Sequence, residues 1–400
     1  MMSKSKLSNV TARRFTVVLG ITLGLLTLTL ALHTRAQEGQ GRKKTITEIN
    51  ENRANDSETR IRYSDDKHSV EIKARESLEF SDDDADLKNI SRNGYLMIEE
   101  RRGSMSRKFE VVPGADGQPQ RTFYVQGQPH PLDREGRAWL AEILPDVIRN
   151  TAIGAQARVK RILRQRGPGG VLDEISLIKS DGAKRIYFRE LLNNGTPDTN
   201  TLRRAARQMA REISSDGEKA NLLKEGADLY LDNERVAPDF FETINTISSD
   251  GERRLVLSVV LKKNLNDANV TRAANSARPM SSDGEKATLL VQHSDVFLHH
   301  PSAIPAFFET VNSISSDGEH ARVLSSLLKR RELSKDTLMR LIRSAERIAS
   351  DGEKANVLVN AVRVYASDGA ALSAIADAAK TIGSDGEKQR VLSALARQRQ

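Results

Sequence analysis

The sequence predicts an α+β chain, mostly α: a small antiparallel β domain followed by an α-solenoid of about 34-residue helix-turn-helix repeats. Three observations carry this. Ser-Asp-Gly-Glu, or a near match, returns every 33 to 35 residues, with its aspartate at Asp181, Asp216, Asp250, Asp283, Asp317, Asp351 and Asp385. Apolar residues around each copy keep helical spacing. Between residues 61 and 132 they alternate instead. A fixed period of this length marks stacked helical pairs, each burying its face only against its neighbours.

The elements follow in chain order. Residues 1–36 read as a signal peptide or signal anchor. Lys4, Lys6, Arg13 and Arg14 precede an uncharged apolar run, Phe15–Leu32, and Thr34-Arg35-Ala36 makes a small-x-small exit. Cleavage after Ala36 and retention as an anchor through residues 15–32 are both open, because the run is just long enough to span a bilayer. Either way the positive flank keeps the N-terminus inside. The chain is expected outside the cytoplasm: periplasmic, secreted or tied to the inner membrane. Setting aside the five Lys/Arg of residues 1–36 lowers the net charge from +8 to +3. Basicity therefore lends little support to a nucleic-acid partner. Cysteine is absent, which removes disulfides, thiolate metal sites and Cys nucleophiles.

Residues 37–60, polar and charged, read as a flexible spacer. Residues 61–132 read as the β domain, with about five or six strands. Ile61/Tyr63, Val70/Ile72 and Leu78/Phe80 alternate, and Tyr95–Ile98, Phe109–Val112 and Thr122–Val125 continue the pattern. Gly114-Ala115-Asp116-Gly117-Gln118-Pro119 predicts a hairpin between the last two. Asp82-Asp83-Asp84, with Asp86, falls in a turn; a solvated loop is expected, with a cation site as the alternative.

Residues 133–169 read as a helical connector. Trp139, Ile143, Val147 and Ile148 share a face, with Pro145 as a kink or break. Arg158, Lys160, Arg161, Arg164 and Arg166, with Val159, Ile162 and Leu163, make a second helix, stopped at Gly167-Pro168-Gly169-Gly170. Its basic residues are expected on a solvated face, with an acidic partner or anionic headgroups as the alternative. Residues 170–400 then form the solenoid of six to seven repeats.

Within a repeat, Ser-x-x-Glu before an apolar run predicts a capping box. Ser215 accepts from the Glu218 N–H, and the Glu218 carboxylate reaches back to the Ser215 N–H. Asp216 adds a favourable charge at the helix start. Calcium binding is the alternative, but the motif lacks oxygen ligands at every second position. Return helices are predicted at Thr201–Ile213, Ala237–Ile247, Val270–Met280, Ile304–Ile314, Asp336–Ile348 and Gly369–Ile382. Phe240-Phe241-Glu242-Thr243 recurs as Phe307-Phe308-Glu309-Thr310, 67 residues later, a block duplication. Paired Phe on a helix reads as core, with a binding stripe as the alternative.

No catalytic motif is present: no His-Glu-x-x-His, no Gly-x-Ser-x-Gly, no phosphate-binding glycine loop. His299-His300 offers a weak surface metal site at most. No catalytic, cofactor-binding or metal residue is nominated, no cofactor is expected, and the binding residues are left open.

Gly94-Tyr95-Leu96-Met97-Ile98-Glu99-Glu100, Ala138-Trp139-Leu140-Ala141-Glu142-Ile143-Leu144-Pro145 and Asp173-Glu174-Ile175-Ser176-Leu177-Ile178 carry a resemblance. About residues 65–400 are similar to extracytoplasmic Ser-Asp repeat segments of bacterial proteins, some fused behind BlaR-type membrane metallopeptidase domains. The protease half, with its membrane helices and zinc motif, has no counterpart here, so zinc and proteolysis are not implied. The resemblance implies a binding or sensing module outside the cytoplasmic membrane. The expected function is a non-catalytic envelope scaffold or sensor with a protein or peptide partner. The alternative is an envelope-polymer hydrolase with its site where the β domain meets the first helices.

Overall fold

The structure, a computed structural model, describes residues 45–53, 56–64, 67–75, 77–194, 197–330 and 333–398. The signal or anchor reading of residues 1–36 lies outside the described residues. Among those described, no helix is long and apolar enough to cross a membrane.

A seven-stranded antiparallel sheet runs in the order β1 (Thr45–Arg53), β2 (Asp56–Ser64), β3 (His68–Arg75), β6 (Tyr95–Arg102), β7 (Met105–Pro113), β8 (Pro119–Val125) and β9 (Gln128–His130). The spacer expected over residues 37–60 is corrected: most of it is β1 and the start of β2. The two strands pair from Thr45↔Ser64 to Arg53↔Asp56. Their polar composition misled because the ladder is made by backbone groups, which any sequence carries. Leu78/Phe80 belong to a separate two-stranded sheet, β4 (Leu78–Phe80) with β5 (Leu87–Ile90).

One row of the main sheet is apolar across its five central strands. Ile61, Ile72, Ile98, Phe109 and Phe123 stand opposite one another across five strands, all buried. Helix α1 (Arg134–Thr151) lies on this face. It is capped by Asp133, which accepts from the Glu135 and Gly136 amides at 3.0 Å. Trp139, Leu140, Leu144, Val147 and Ile148 complete the sheet's core. Pro145 does not break the helix, which continues to Thr151 and stops at Ala152 in the left-handed conformation. A second, continuous core starts at Ala152 and runs through the solenoid to Leu395.

The two cores meet at a buried ionic cluster. Helix α2 (Ala155–Ile175) is split at Gly167, whose φ of 66° is non-helical. Arg158 is buried, and holds Asp84 Oδ2 at 2.7 and 2.9 Å, Glu174 Oε1 at 2.8 Å and the Tyr187 hydroxyl at 3.1 Å. Arg161 grips the other oxygen of Asp84 at 2.5 Å, and Arg149 bonds Glu174 at 2.6 Å. Both solvated-surface expectations are thus corrected for these residues. The acidic run sends Asp84 inward, and the basic helix sends Arg158 to meet it. The alternative acidic partner is supplied by the chain itself. The clue was spacing: Arg158 shares the apolar stripe of Ala155 and Ile162, three and four residues away.

The solenoid alternates leading helices with return helices. The leading helices are α3 (Asp181–Asn194), α5 (Asp216–Leu231), α7 (Asp250–Val260), α9 (Asp283–Gln292), α12 (Asp317–Leu328), α14 (Asp351–Val364) and α16 (Asp385–Ala396). Between them lie α4 (Thr199–Glu212), α6 (Ala237–Asn245), α8 (Asp267–Ala277), α11 (Ile304–Val311), α13 (Lys335–Ala345) and α15 (Gly369–Ala379); a short α10 (Ser294–Leu298) precedes α11. The Phe pairs are core: Phe240, Phe241, Phe307 and Phe308 are buried, each pair edge-to-face.

Half of the expected capping box holds. Each Ser hydroxyl accepts from the amide three residues on, as Ser215 does from Glu218. The return bond from Glu218 is corrected. The Ser215 amide donates instead to Asp181 of the preceding repeat, at 2.7 Å, and Glu218 pairs with Arg185 of that repeat. The pattern recurs throughout. Asp181, Asp216, Asp250, Asp283, Asp317 and Asp351 each accept two consecutive backbone amides of the next cap loop, at 2.6–3.1 Å. The tetrapeptide is therefore a tie between neighbours as well as a cap. Local periodicity points to the helix start; only stacking reveals the partner 31–34 residues away.

The residue after the Glu makes a second tie. Lys219, Lys286 and Lys354 are buried and donate to the carbonyl and hydroxyl of Thr246, Ser313 and Thr381 in the next repeat. Where that slot holds Arg347, the donor is His320 rather than Lys. His320 Nε2 bonds Ser344 Oγ at 2.8 Å, and Ser344 donates onward to Asn312 Oδ1 at 2.6 Å.

These ties give a controlled test. Asp283→Ala strips the Ser315 and Ser316 amides of their acceptor, and is expected to cost about 1–2 kcal/mol in urea unfolding of the whole chain. Asp385→Ala keeps the same local motif but, among the described residues, holds no following cap loop. It should cost less than about 0.5 kcal/mol. Equal losses would mean that the aspartate acts only on its own helix.

Candidate functional site

Where α1 leaves the sheet, a cleft of about 420 Å3 opens beside the start of the solenoid. Three parts of the chain build it: the ends of β2, β3, β6 and β7, one flank of α1, and the Lys179-Ser180 loop before α3. Strand alternation brings the sheet wall together. Tyr63, Val70, Glu100 and Arg107 form one cross-strand row, next to the apolar row described above, and His68, Arg102 and Met105 form the following one. Helical spacing sets the other wall: Ile143 and Val147 form an apolar strip, with Glu142 and Asp146 exposed one turn apart.

Glu100 is the central polar group. It is in phase with Leu96 and Ile98, so the strand points it inward, and it is 7% exposed. Its carboxylate accepts from Trp139 Nε1 at 2.7 Å, from His68 Nε2 at 2.7 Å and from Arg102 at 3.0 Å. Burial pushes its pKa up, but these donors outweigh burial and hold the carboxyl below its usual range. Glu100 is thus ionised and pinned. It ties α1 to the sheet through Trp139, the single tryptophan of the chain.

Both walls carry ion pairs. Arg102 and Arg107 stand on the sheet side, with Arg107 also 3.2 Å from Glu135. Glu142 and Asp146 stand on the helix side, with Lys179 Nζ 3.7 Å from Asp146. Asn150 closes the inner end. It is buried, and its Oδ1 accepts the Lys179 amide at 2.8 Å, the role that repeat aspartates play further along.

Sequence reading missed this site. It pointed to the joint, and read Trp139, Ile143 and Val147 as one helix face, but assigned none of the lining residues to a site. The available signals were an acid at an inward strand position, Glu100, and a lone Trp on the facing helix. The acids it did single out are elsewhere, in the ties and the ionic cluster. His299 and His300 take separate partners, the Asp295 carbonyl at 2.7 Å and Asp267 at 2.6 Å. Among the described residues no three His, Cys, Asp or Glu are grouped to hold a metal ion. A wider groove beside α10 and α13 is lined by few residues, and its Arg330 is already paired with Asp295.

No protein-family model, curated protein or solved structure matches the chain.

Proposed function

We propose that the chain is a non-catalytic binding or sensing module of the cell envelope. It holds a ligand in the cleft between sheet and α1, and the solenoid presents an extended surface to a protein partner. The observation that carries the reading is Glu100, buried at the cleft and locked by three donors. A glycosidase acting on envelope polymer needs a general-acid carboxyl kept protonated near neutral pH; Glu100 is held in the opposite state. The repeat carboxylates are spent on structure. An address outside the cytoplasm is supported by the basic head and apolar run of residues 1–36.

Trp139 supplies the test. It is the only indole, and it lines the cleft through its bond to Glu100. Titration with a panel of envelope-type peptides and oligosaccharides is expected to give a saturable change in its emission with at least one compound, which mass spectrometry then recovers unaltered. Recovery of a cleaved product would sink the non-catalytic reading in favour of the hydrolase. A panel that leaves the emission unchanged would remove the cleft as the binding site.

A further inference from the structure

We infer that Met105 is an oxidation site on the rim of the cleft, where hydrogen peroxide converts its thioether to the sulfoxide and so changes the cleft wall. The chain has no cysteine and seven methionines, so methionine is its one kind of sulfur. Among the described residues Met97, Met209 and Met280 are buried, and Met339 is partly buried against the solenoid core. Met105 is 43% exposed. Strand alternation explains the difference. Met105 is in phase with Phe109 and Val111, both buried, so it stands on the sheet face that α1 covers. It lies at the start of β7, opposite Arg102, and lines the cleft that opens where α1 leaves the sheet. An apolar residue at a core-facing position is thereby left open to water.

The surroundings suit the oxidised form. Gln126 Nε2 lies 3.8 Å from the Met105 sulfur and donates to the Ser104 carbonyl at 2.7 Å. The Gln126 backbone amide is itself fixed by the Ser106 carbonyl at 2.9 Å. A thioether is a weak acceptor; a sulfoxide oxygen is a strong one, placed to take the same Gln126 amide. Oxidation thus replaces a flexible apolar side chain by a polar one held between the β6–β7 and β8–β9 turns. In the step itself the sulfur attacks one peroxide oxygen. An S–O bond forms, the O–O bond breaks, and the departing oxygen takes the proton of the transferred one and leaves as water. Sulfur loses two electrons and the peroxide gains them.

The test treats the full chain with hydrogen peroxide at neutral pH and follows each methionine by peptide mass mapping. Met105 is expected to gain an oxygen about tenfold faster than Met97, Met209, Met280 or Met339. Trp139, which lines the same cleft, should change its emission in step with that gain. Met105→Leu keeps an apolar side chain at an exposed position, so its melting should be unchanged. It should lose both the fast oxidation and the emission change. If another of these methionines takes the oxygen first, or Met105 takes it no faster than they do, the site is overturned. If Met105 is oxidised while the emission stays constant, or the emission changes equally in Met105→Leu, the effect on the cleft is overturned. No ligand is needed for either readout, so failure here is distinct from failure of the cleft to bind.

Discussion

Arg158→Met is expected to cost about 3–5 kcal/mol of stability, read as the loss in the first transition of denaturant unfolding at neutral pH. Arg158 is 4% exposed. Burial works against its charge, yet Tyr187, Asp84 and Glu174 outweigh burial and raise its pKa. Methionine fills similar volume but leaves Asp84 and Glu174 buried with one fewer cation each. Removing one member of a buried pair is costly because the remaining charge keeps its desolvation penalty. A chain that already carries Asp84→Asn and Glu174→Gln should therefore lose less than half as much on the same Arg158→Met change. If Arg158→Met costs the same in both backgrounds, packing rather than charge holds the joint. The cluster also sets an acid limit. Burial raises the pKa of Asp84 and Glu174, and their arginines more than reverse this, holding both below the usual range. Their contribution is present at neutral pH and is lost as pH falls through those lowered values.

His320 gives the second large effect, with its own pH window. Burial pushes its pKa down to about 4, Asp317 opposing and Arg347 adding to the shift. The unfolded chain takes the proton near the ordinary value of about 6.5, whereas the folded chain resists it until about 4. Between those values the unfolded state binds more protons, so stability falls as pH drops, by on the order of 3 kcal/mol in all. His320→Gln keeps a donor for Ser344 and cannot titrate. The stability of wild type minus that of His320→Gln should decline from pH 7 to pH 4. A flat difference would show that the imidazole already titrates normally in the fold. His320→Lys restores the residue of the neighbouring ties but sets a cation against Arg347. It should destabilise alone and be rescued by Arg347→Thr, the pairing that Lys219 makes with Thr246.

The residues read most easily were those whose role is local. The Ser caps, the apolar slot three residues before each Asp, and the paired apolar residues six and seven after it are found where spacing places them, the apolar ones all buried but Leu392. The edge strand β1 escaped because its ladder is backbone, not pattern. Glu100 escaped as a site because one acid at an inward position has meaning only once Trp139, His68 and Arg102 surround it.

The sequence by itself determined the helix starts, the repeat length, the solenoid and the alternating sheet, because periodicity, caps and turns act over a few residues. The tertiary structure alone decided what each charge is for. It joined Asp84 to Arg158, 74 residues on, turned six of the repeat aspartates into ties, and gathered Trp139, His68 and Arg102 around Glu100 at one cleft. Coulombic and hydrogen-bond partners are chosen by distance in space, and chain order carries little of that distance.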